Sequence, residues 1–191
     1  MYDGVIFEQF ENYQKGSYRN KCRIIQSSGF QTLSIPLSKG KNEKKPIREV
    51  EIHSIENWQR QHWQSIKTAY GRSPYFDYYG EEIEAILHTK CDLLFDYNLK
   101  VLEKVTKIIG MDLKYTLSEN YKEQPVDGLV DLRNVLKPKK KNNNLDKHYI
   151  ERPYPQVFED RLGYCQNPSI LDLIFCSGPS AILVLENSII K

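Results

Sequence analysis

The first apolar cluster, Gly4-Val5-Ile6-Phe7-Glu8, is short and bounded by polar residues, which predicts a strand. It starts almost at the first residue, so it is either an edge strand or is preceded by a further segment. Asn12 to Tyr18 is rich in turn formers. Two β-prone runs follow, Lys21–Ile25 and Gln31–Leu37, separated by Ser27-Ser28-Gly29; this predicts a β-hairpin with Pro36 marking its edge or end. Ile47–Ile52 alternates apolar with charged residues and predicts a half-buried strand.

The period then changes. Trp58, His62, Trp63, Ile66 and Tyr70 fall on one helical face, with Asn57 placed to cap the helix, Gly71 to stop it and Pro74 beyond. A second helix is expected over about residues 75–88. A third covers about 92–110, with Leu94, Tyr97, Leu102, Val105 and Ile109 as its apolar face and Gly110 as its stop. Leu113–Ser118 reads as a strand, and from Glu119 to Pro155 periodicity fails. Within that stretch, residues 137–144 predict a mobile, solvated basic loop. Pro168–Phe175 reads as helix, with Asn167 as N-cap, Pro168 at the first position and Asp172 in the first turn. A Gly178-Pro179 break and an apolar segment, Ala181–Leu185, close the chain. The order predicts an α/β fold: a single domain over residues 1–191, with a mixed sheet that includes an antiparallel hairpin and is covered by helices.

Composition narrows the function classes. The chain is 40% hydrophobic and 27% charged, as ordinary globular proteins are. A formal charge of +2 and no recognition module argue against nucleic acid as a partner. Cys22, Cys91, Cys165 and Cys176 form no C-x-x-C pair and read as buried small hydrophobes or plain thiols. With no leader pattern and no run near about 18 apolar residues, a reduced, cytoplasmic protein without a transmembrane segment is expected.

Five features exceed structural need. Glu8, Asn12, Tyr13, Lys15, Tyr18, Arg19, Asn20, Lys21 and Arg23 concentrate a carboxylate, amides, phenols and cations in sixteen residues. Such a set suits an anionic or polyhydroxylated ligand, and equally a surface loop joining two strands. His62 lacks a second ligand at i+3 or i+4 and reads as a satisfied, half-buried histidine. Tyr70, Tyr75, Tyr78 and Tyr79 could stack on a ring but read first as packing at a Gly/Pro corner. Asp131-Leu132-Arg133 is weak alone. Phe158, Arg161 and Tyr164, ahead of Asn167, remain unexplained beside a helix N-terminus that can receive an anion. There is no P-loop, dinucleotide fingerprint, nucleophile elbow or zinc-protease motif, and no cofactor is indicated.

Taken in order, Tyr13-Gln14-Lys15-x-x-Tyr18-Arg19-Asn20-Lys21-x-Arg23, then Leu33-x-Ile35-Pro36-Leu37, then Trp58-x-x-x-His62-Trp63 through Pro74-Tyr75-Phe76 resemble the WbqC-like family. Tyr154-x-Gln156-x-Phe158-x-x-Arg161-x-Gly163-Tyr164-x-x-Asn167 through Gly178-Pro179 is similar as well. The family opens with a strand and helix carrying a Tyr-Leu-Pro pattern that this chain lacks ahead of Tyr2, which implies a further upstream segment. The resemblance implies a bacterial setting in O-antigen and other surface-polysaccharide synthesis. It allows a transferase acting on a nucleotide-linked or lipid-linked sugar. In that reading Glu8 is the candidate general base, and Lys15, Arg19, Lys21 and Arg23 neutralise phosphates. Asn12, Tyr13, Tyr18, Asn20, Arg161 and Asn167 orient the ligand. The alternative is a non-catalytic binding or assembly protein that uses the same surface for an anionic ligand or a protein partner.

Overall fold

In the computed structural model, described for residues 4–38, 44–53, 57–124, 128–133, 135 and 148–190, helices carry most of the core and pack with four short strands. The strands comprise one parallel and one antiparallel pair. The predicted basic loop at 137–144 lies outside the described residues.

The antiparallel pair is the expected hairpin. Strand β2 (Lys21–Gln26) runs against β3 (Gly29–Ser34), in register from Lys21 opposite Ser34 to Gln26 opposite Gly29. Ser27 and Ser28 alone make the turn, and Gly29 takes the positive φ that lets so short a connection close. Ile24 and Ile25 are adjacent in sequence, point to opposite faces, and are both fully buried, so the hairpin is covered on each side.

Helix α1 (Trp58–Tyr70) covers one face through Trp63, Ile66, Ala69 and Tyr70. Its boundaries match the sequence expectation, although the Asn57 side chain makes no capping hydrogen bond. The Tyr70 hydroxyl accepts the Ile25 amide at 3.1 Å, a polar pin inside the apolar contact. Helix α2 (Phe76–Leu87) turns back over α1. The Phe76 ring stacks on Trp63 and lies 5.2 Å from Phe175; at this corner Tyr70, Tyr75 and Tyr79 pack with the core, as their spacing suggested, while Tyr78 is exposed. Helix α3 (Leu94–Ile108) follows, stopped by Gly110 at φ +75°. Burying such aliphatic and aromatic side chains contributes roughly 1.5–3 kcal/mol each.

Strand β1 (Val5–Phe7) pairs in parallel with β4 (Tyr115–Leu117) over three residues. Ile47–Ile52 was expected as a strand. It instead forms a 3-10 turn at Ile47–Glu49 and then two isolated bridges, Leu37 opposite Ile52 and Glu51 opposite Leu93. The reason is local: the Ile47 and Arg48 amides donate to the Glu11 and Gln9 carbonyls, so no continuous ladder partner is left for them. A second, smaller core gathers here around Tyr13, Ile47, Val50, Trp58, Leu94 and Tyr97.

The C-terminal region carries a one-turn helix, α4 (Glu159–Leu162), then α5 (Ile170–Ser177), a 3-10 turn at Gly178–Ser180, and α6 (Ala181–Asn187). Gly178 is forced: its φ is +52°, and a Cβ there would run into the Tyr75 ring. Among the described residues, Ile170–Asn187 has the length and hydropathy of a membrane-crossing helix. In the fold it is three pieces, with Leu173, Ile174, Phe175 and Ala181 buried in the main core.

The cap of α5 also differs from expectation. Ser169, not Asn167, is the N-cap, its hydroxyl accepting the Leu171 amide. Asn167 sits two residues earlier with φ +55°, the one non-glycine residue in that region among those described. An asparagine tolerates that backbone better than most residues.

Candidate functional site

The chain from Asn12 to Arg23 folds as a tight turn, a 3-10 turn at Tyr18–Asn20 and the start of β2. Much of its polarity is spent internally. The buried Tyr13 hydroxyl donates to Asn20 Oδ1 at 2.9 Å, and Asn20 Nδ2 donates to the Ile35 carbonyl at 2.9 Å. Ser17 caps the 3-10 turn. Arg19 forks onto Glu11 through Nε (2.9 Å) and Nη2, while its carbonyl accepts Asn98 Nδ2 at 2.7 Å. Asn12 and Lys15 are exposed on the turn.

Arg23 bridges to the C-terminal region. Its Nη2 donates to the Asn167 carbonyl at 2.9 Å, its guanidinium lies 4.3 Å over the Phe30 ring, and its carbonyl accepts the Ser169 amide at 2.7 Å. The Asn167 amide is in turn held by Glu151 Oε1 at 2.7 Å. The structure therefore brings Arg23 and Asn167 together, while Arg161 stands exposed on α4.

Two adjoining cavities lie along these segments. The larger, about 240 Å³, has Tyr18–Cys22 on one side and Ser169–Leu171 opposite, so the two segments singled out in the sequence face each other across it. Leu33 and Ile35 from the hairpin, Ile83 and Ile86 from α2, and Val101 and Val105 from α3 make the rest of it apolar. The smaller, about 180 Å³, is lined by Phe7, Glu8, Glu11, Ile47, Phe95 and Leu102 among others. Arg19 and Asn98 line both, forming the shared wall.

Burial shifts two groups in the wall of the larger cavity, Cys22 and His62. Burial pushes the Cys22 thiol up to about 11, only partly opposed by a hydrogen bond with Ser169, so it is a thiol and a poor nucleophile. Burial lowers His62, against a hydrogen bond to the Ser34 backbone, and its ring packs edge-on to Trp58 at 5.1 Å. A neutral imidazole suits that wall. Glu8 Oε1 accepts the Phe10 amide at 2.6 Å and the Ser118 hydroxyl at 3.0 Å; among the described residues its other oxygen takes no hydrogen bond. No group of three His, Cys, Asp or Glu side chains suited to a metal occurs among the described residues.

With that geometry in place, comparison with known proteins is informative. The model of the WbqC-like protein family matches residues 1–184. The chain belongs to the WbqC-like protein family. A curated relative, a protein of Mycobacterium tuberculosis (strain ATCC 25618 / H37Rv) described as "Uncharacterized protein Rv1507c", is 27% identical over 122 residues. That match takes in 61% of this WbqC-like chain and 50% of the relative, so the chain covers about half of the relative's length. No solved structure matches this chain.

One buried polar centre of this WbqC-like fold gathers residues to which the sequence pattern gives no site role. Asp172, placed by its spacing as a first-turn helix residue, is fully buried. Its Oδ2 accepts the Tyr154 hydroxyl at 2.9 Å and Gln156 Nε2 at 3.2 Å. Gln156 also clamps Cys165, donating to its carbonyl and accepting its amide. Burial raises the Asp172 carboxyl, opposed by hydrogen bonds from Tyr154, Tyr70 and Gln156. A signal for it exists: a lone Asp between Leu171 and Leu173 in an apolar helix needs polar partners from elsewhere in the chain.

Proposed function

We propose that this WbqC-like chain serves bacterial surface-polysaccharide synthesis, in the cytoplasm, as a group transferase acting on a nucleotide-linked or lipid-linked sugar. One observation carries the reading: a carboxylate-lined cleft and an apolar cavity lie side by side, sharing Arg19 and Asn98. Such a pair suits a substrate with a polyhydroxylated part and another, chemically different part. Glu8 and Glu11, with the Phe7 and Phe95 rings, offer the smaller cleft the acceptors and apolar faces that a sugar uses. Glu8 is the candidate base there, through the oxygen that takes no hydrogen bond among the described residues.

The cations divide. Arg19 and Arg23 are engaged with Glu11 and with backbone carbonyls, so they shape the walls more than they neutralise phosphate. Lys21 lines the larger cavity and makes no side-chain hydrogen bond or ion pair among the described residues, which leaves it to meet an anionic group. Lys15 stands further out on the exposed turn.

The engagement of both arginines favours the alternative reading, a non-catalytic protein that binds an anionic ligand or a protein partner. Thermal-shift screening of the full chain against nucleotide sugars separates the two, followed by product analysis with Glu8→Gln. The transferase reading expects stabilisation by at least one sugar, with turnover lost and binding kept in Glu8→Gln. Binding with no turnover in the wild type selects the non-catalytic reading, and no stabilisation by any sugar defeats the glycan assignment.

A further inference from the structure

We propose that the 240 Å³ cavity is an acyl pocket, taking a short, unbranched apolar chain whose anionic or carbonyl head meets Lys21. The inference rests on the transferase reading above for its setting, and names the kind of group that site would carry.

The lining decides the class. Leu33, Ile35, Ile86, Val101, Val105 and Leu171 surround the space, together with the rings of Trp58 and Tyr97. Its polar members are largely committed: Asn20 to Tyr13 and Ile35, Asn98 to the Arg19 carbonyl, Ser169 to the α5 cap and Cys22. A sugar ring placed here would bury several hydroxyls against walls that cannot answer them, which is heavily penalised. A hydrocarbon chain meets no such penalty and gains from every methylene removed from water.

Size and charge narrow the choice further. An apolar cavity of about 150 Å³ holds benzene, so about 240 Å³ has room for roughly ten carbon-sized atoms. That is a short acyl chain; a nucleotide sugar or a long polyprenyl tail exceeds it. Lys21 and Tyr18 are the lining residues whose polar heads make no hydrogen bond among the described residues. Tyr18 opens the 3-10 turn, and Lys21 follows it as the first residue of β2. A carboxylate or a polarised carbonyl suits them, and the neighbouring cleft around Glu8 stays open to the sugar that would receive the group.

Calorimetric titration of the full chain with octanoate, against butyrate, dodecanoate and octanol, provides the test. Saturable octanoate binding is expected, tighter than butyrate, with dodecanoate falling off once the chain outgrows the cavity. Octanol, and octanoate on Lys21→Gln, should each bind about tenfold more weakly. Leu171→Trp, checked by circular dichroism, should abolish binding by filling the space. If that variant fails to fold, the chain-length series on the wild type decides alone. Affinity that keeps rising through dodecanoate, an unchanged constant in Lys21→Gln, or no saturable octanoate binding overturns the proposal. Octanoate binding without any response to sugars removes the glycan reading and leaves the acyl pocket. A sugar response without octanoate binding does the reverse.

Discussion

Between Tyr13 and Arg23, polar side chains mostly answer backbone groups: Asn20 reaches the Ile35 carbonyl, Ser17 caps a turn, and Arg23 reaches the Asn167 carbonyl. Between Tyr154 and Asp172 they answer one another around a fully buried carboxyl. In the sequence, the Tyr13–Arg23 stretch stands out as a site because its polar residues are crowded. The Tyr154–Asp172 stretch stands out through Phe158, Arg161 and Tyr164, but its key residue, Asp172, passes for an ordinary first-turn helix residue because it is isolated. Energetically the order is reversed: a fully buried acceptor with several donors costs more to remove than a single amide with two partners, because its donors are left stranded.

Four measurements would break or sharpen that contrast. Asp172→Ala should show the largest effect, about 2–4 kcal/mol in urea unfolding, since Tyr154 and Gln156 lose their acceptor inside the core. A loss under about 1 kcal/mol would mean the centre relaxes freely.

The pH dependence of the same centre follows. The Asp172 carboxyl is raised in the fold, so the folded state holds the proton more tightly than the unfolded chain. Its stabilising contribution is thus present below the ordinary carboxylate range near about 4 and lost as pH rises through the raised folded value. Wild-type stability should therefore decline relative to Asp172→Asn as pH climbs from about 4. A pH-independent difference between the two would contradict the raised value.

Next comes Asn20→Ala, at about 1–2 kcal/mol, because it leaves the Tyr13 hydroxyl and the Ile35 carbonyl without that partner. Smallest are Asn12→Ala and Lys15→Ala, both exposed, which should stay within about 0.5 kcal/mol by thermal melting. A large effect from either would reveal a contact beyond the described residues.

Much of the fold was legible where one period dominates. Trp58 to Tyr70 repeats at helical spacing between Asn57 and Gly71, and the helix has those bounds. The hairpin was legible for the same reason: two β-prone runs sit on a turn that admits one register. Ile47–Ile52 alternates just as cleanly, yet its amides are claimed by Gln9 and Glu11, a tertiary fact that no local pattern carries. The α5 cap failed differently. Asn167 and Ser169 are both good caps, and the choice turns on which one the Arg23 carbonyl pins in place. Of the candidate site, Tyr18–Cys22 and Ser169–Leu171, which face each other across the larger cavity, lie in or beside stretches that the sequence makes conspicuous. The separate placement of Glu8 in its own cleft was not legible, because nothing in the spacing of Glu8 and Lys21 says they line different cavities.

The parallel β1–β4 contact has a kinetic consequence. Glu8 and Ser118, at its end, are 110 residues apart. Closing such a loop costs about 4 kcal/mol of chain entropy, set against three residue pairs with largely exposed side chains. This contact should form last in folding and open first in the native state, with the Val5 and Ser118 amides exchanging hydrogen faster than the Ile25 amide held on Tyr70. Each opening would carry Glu8 out of its cleft while the hairpin, α2 and α3 keep the larger cavity intact. One of the two compartments would thus blink on its own clock.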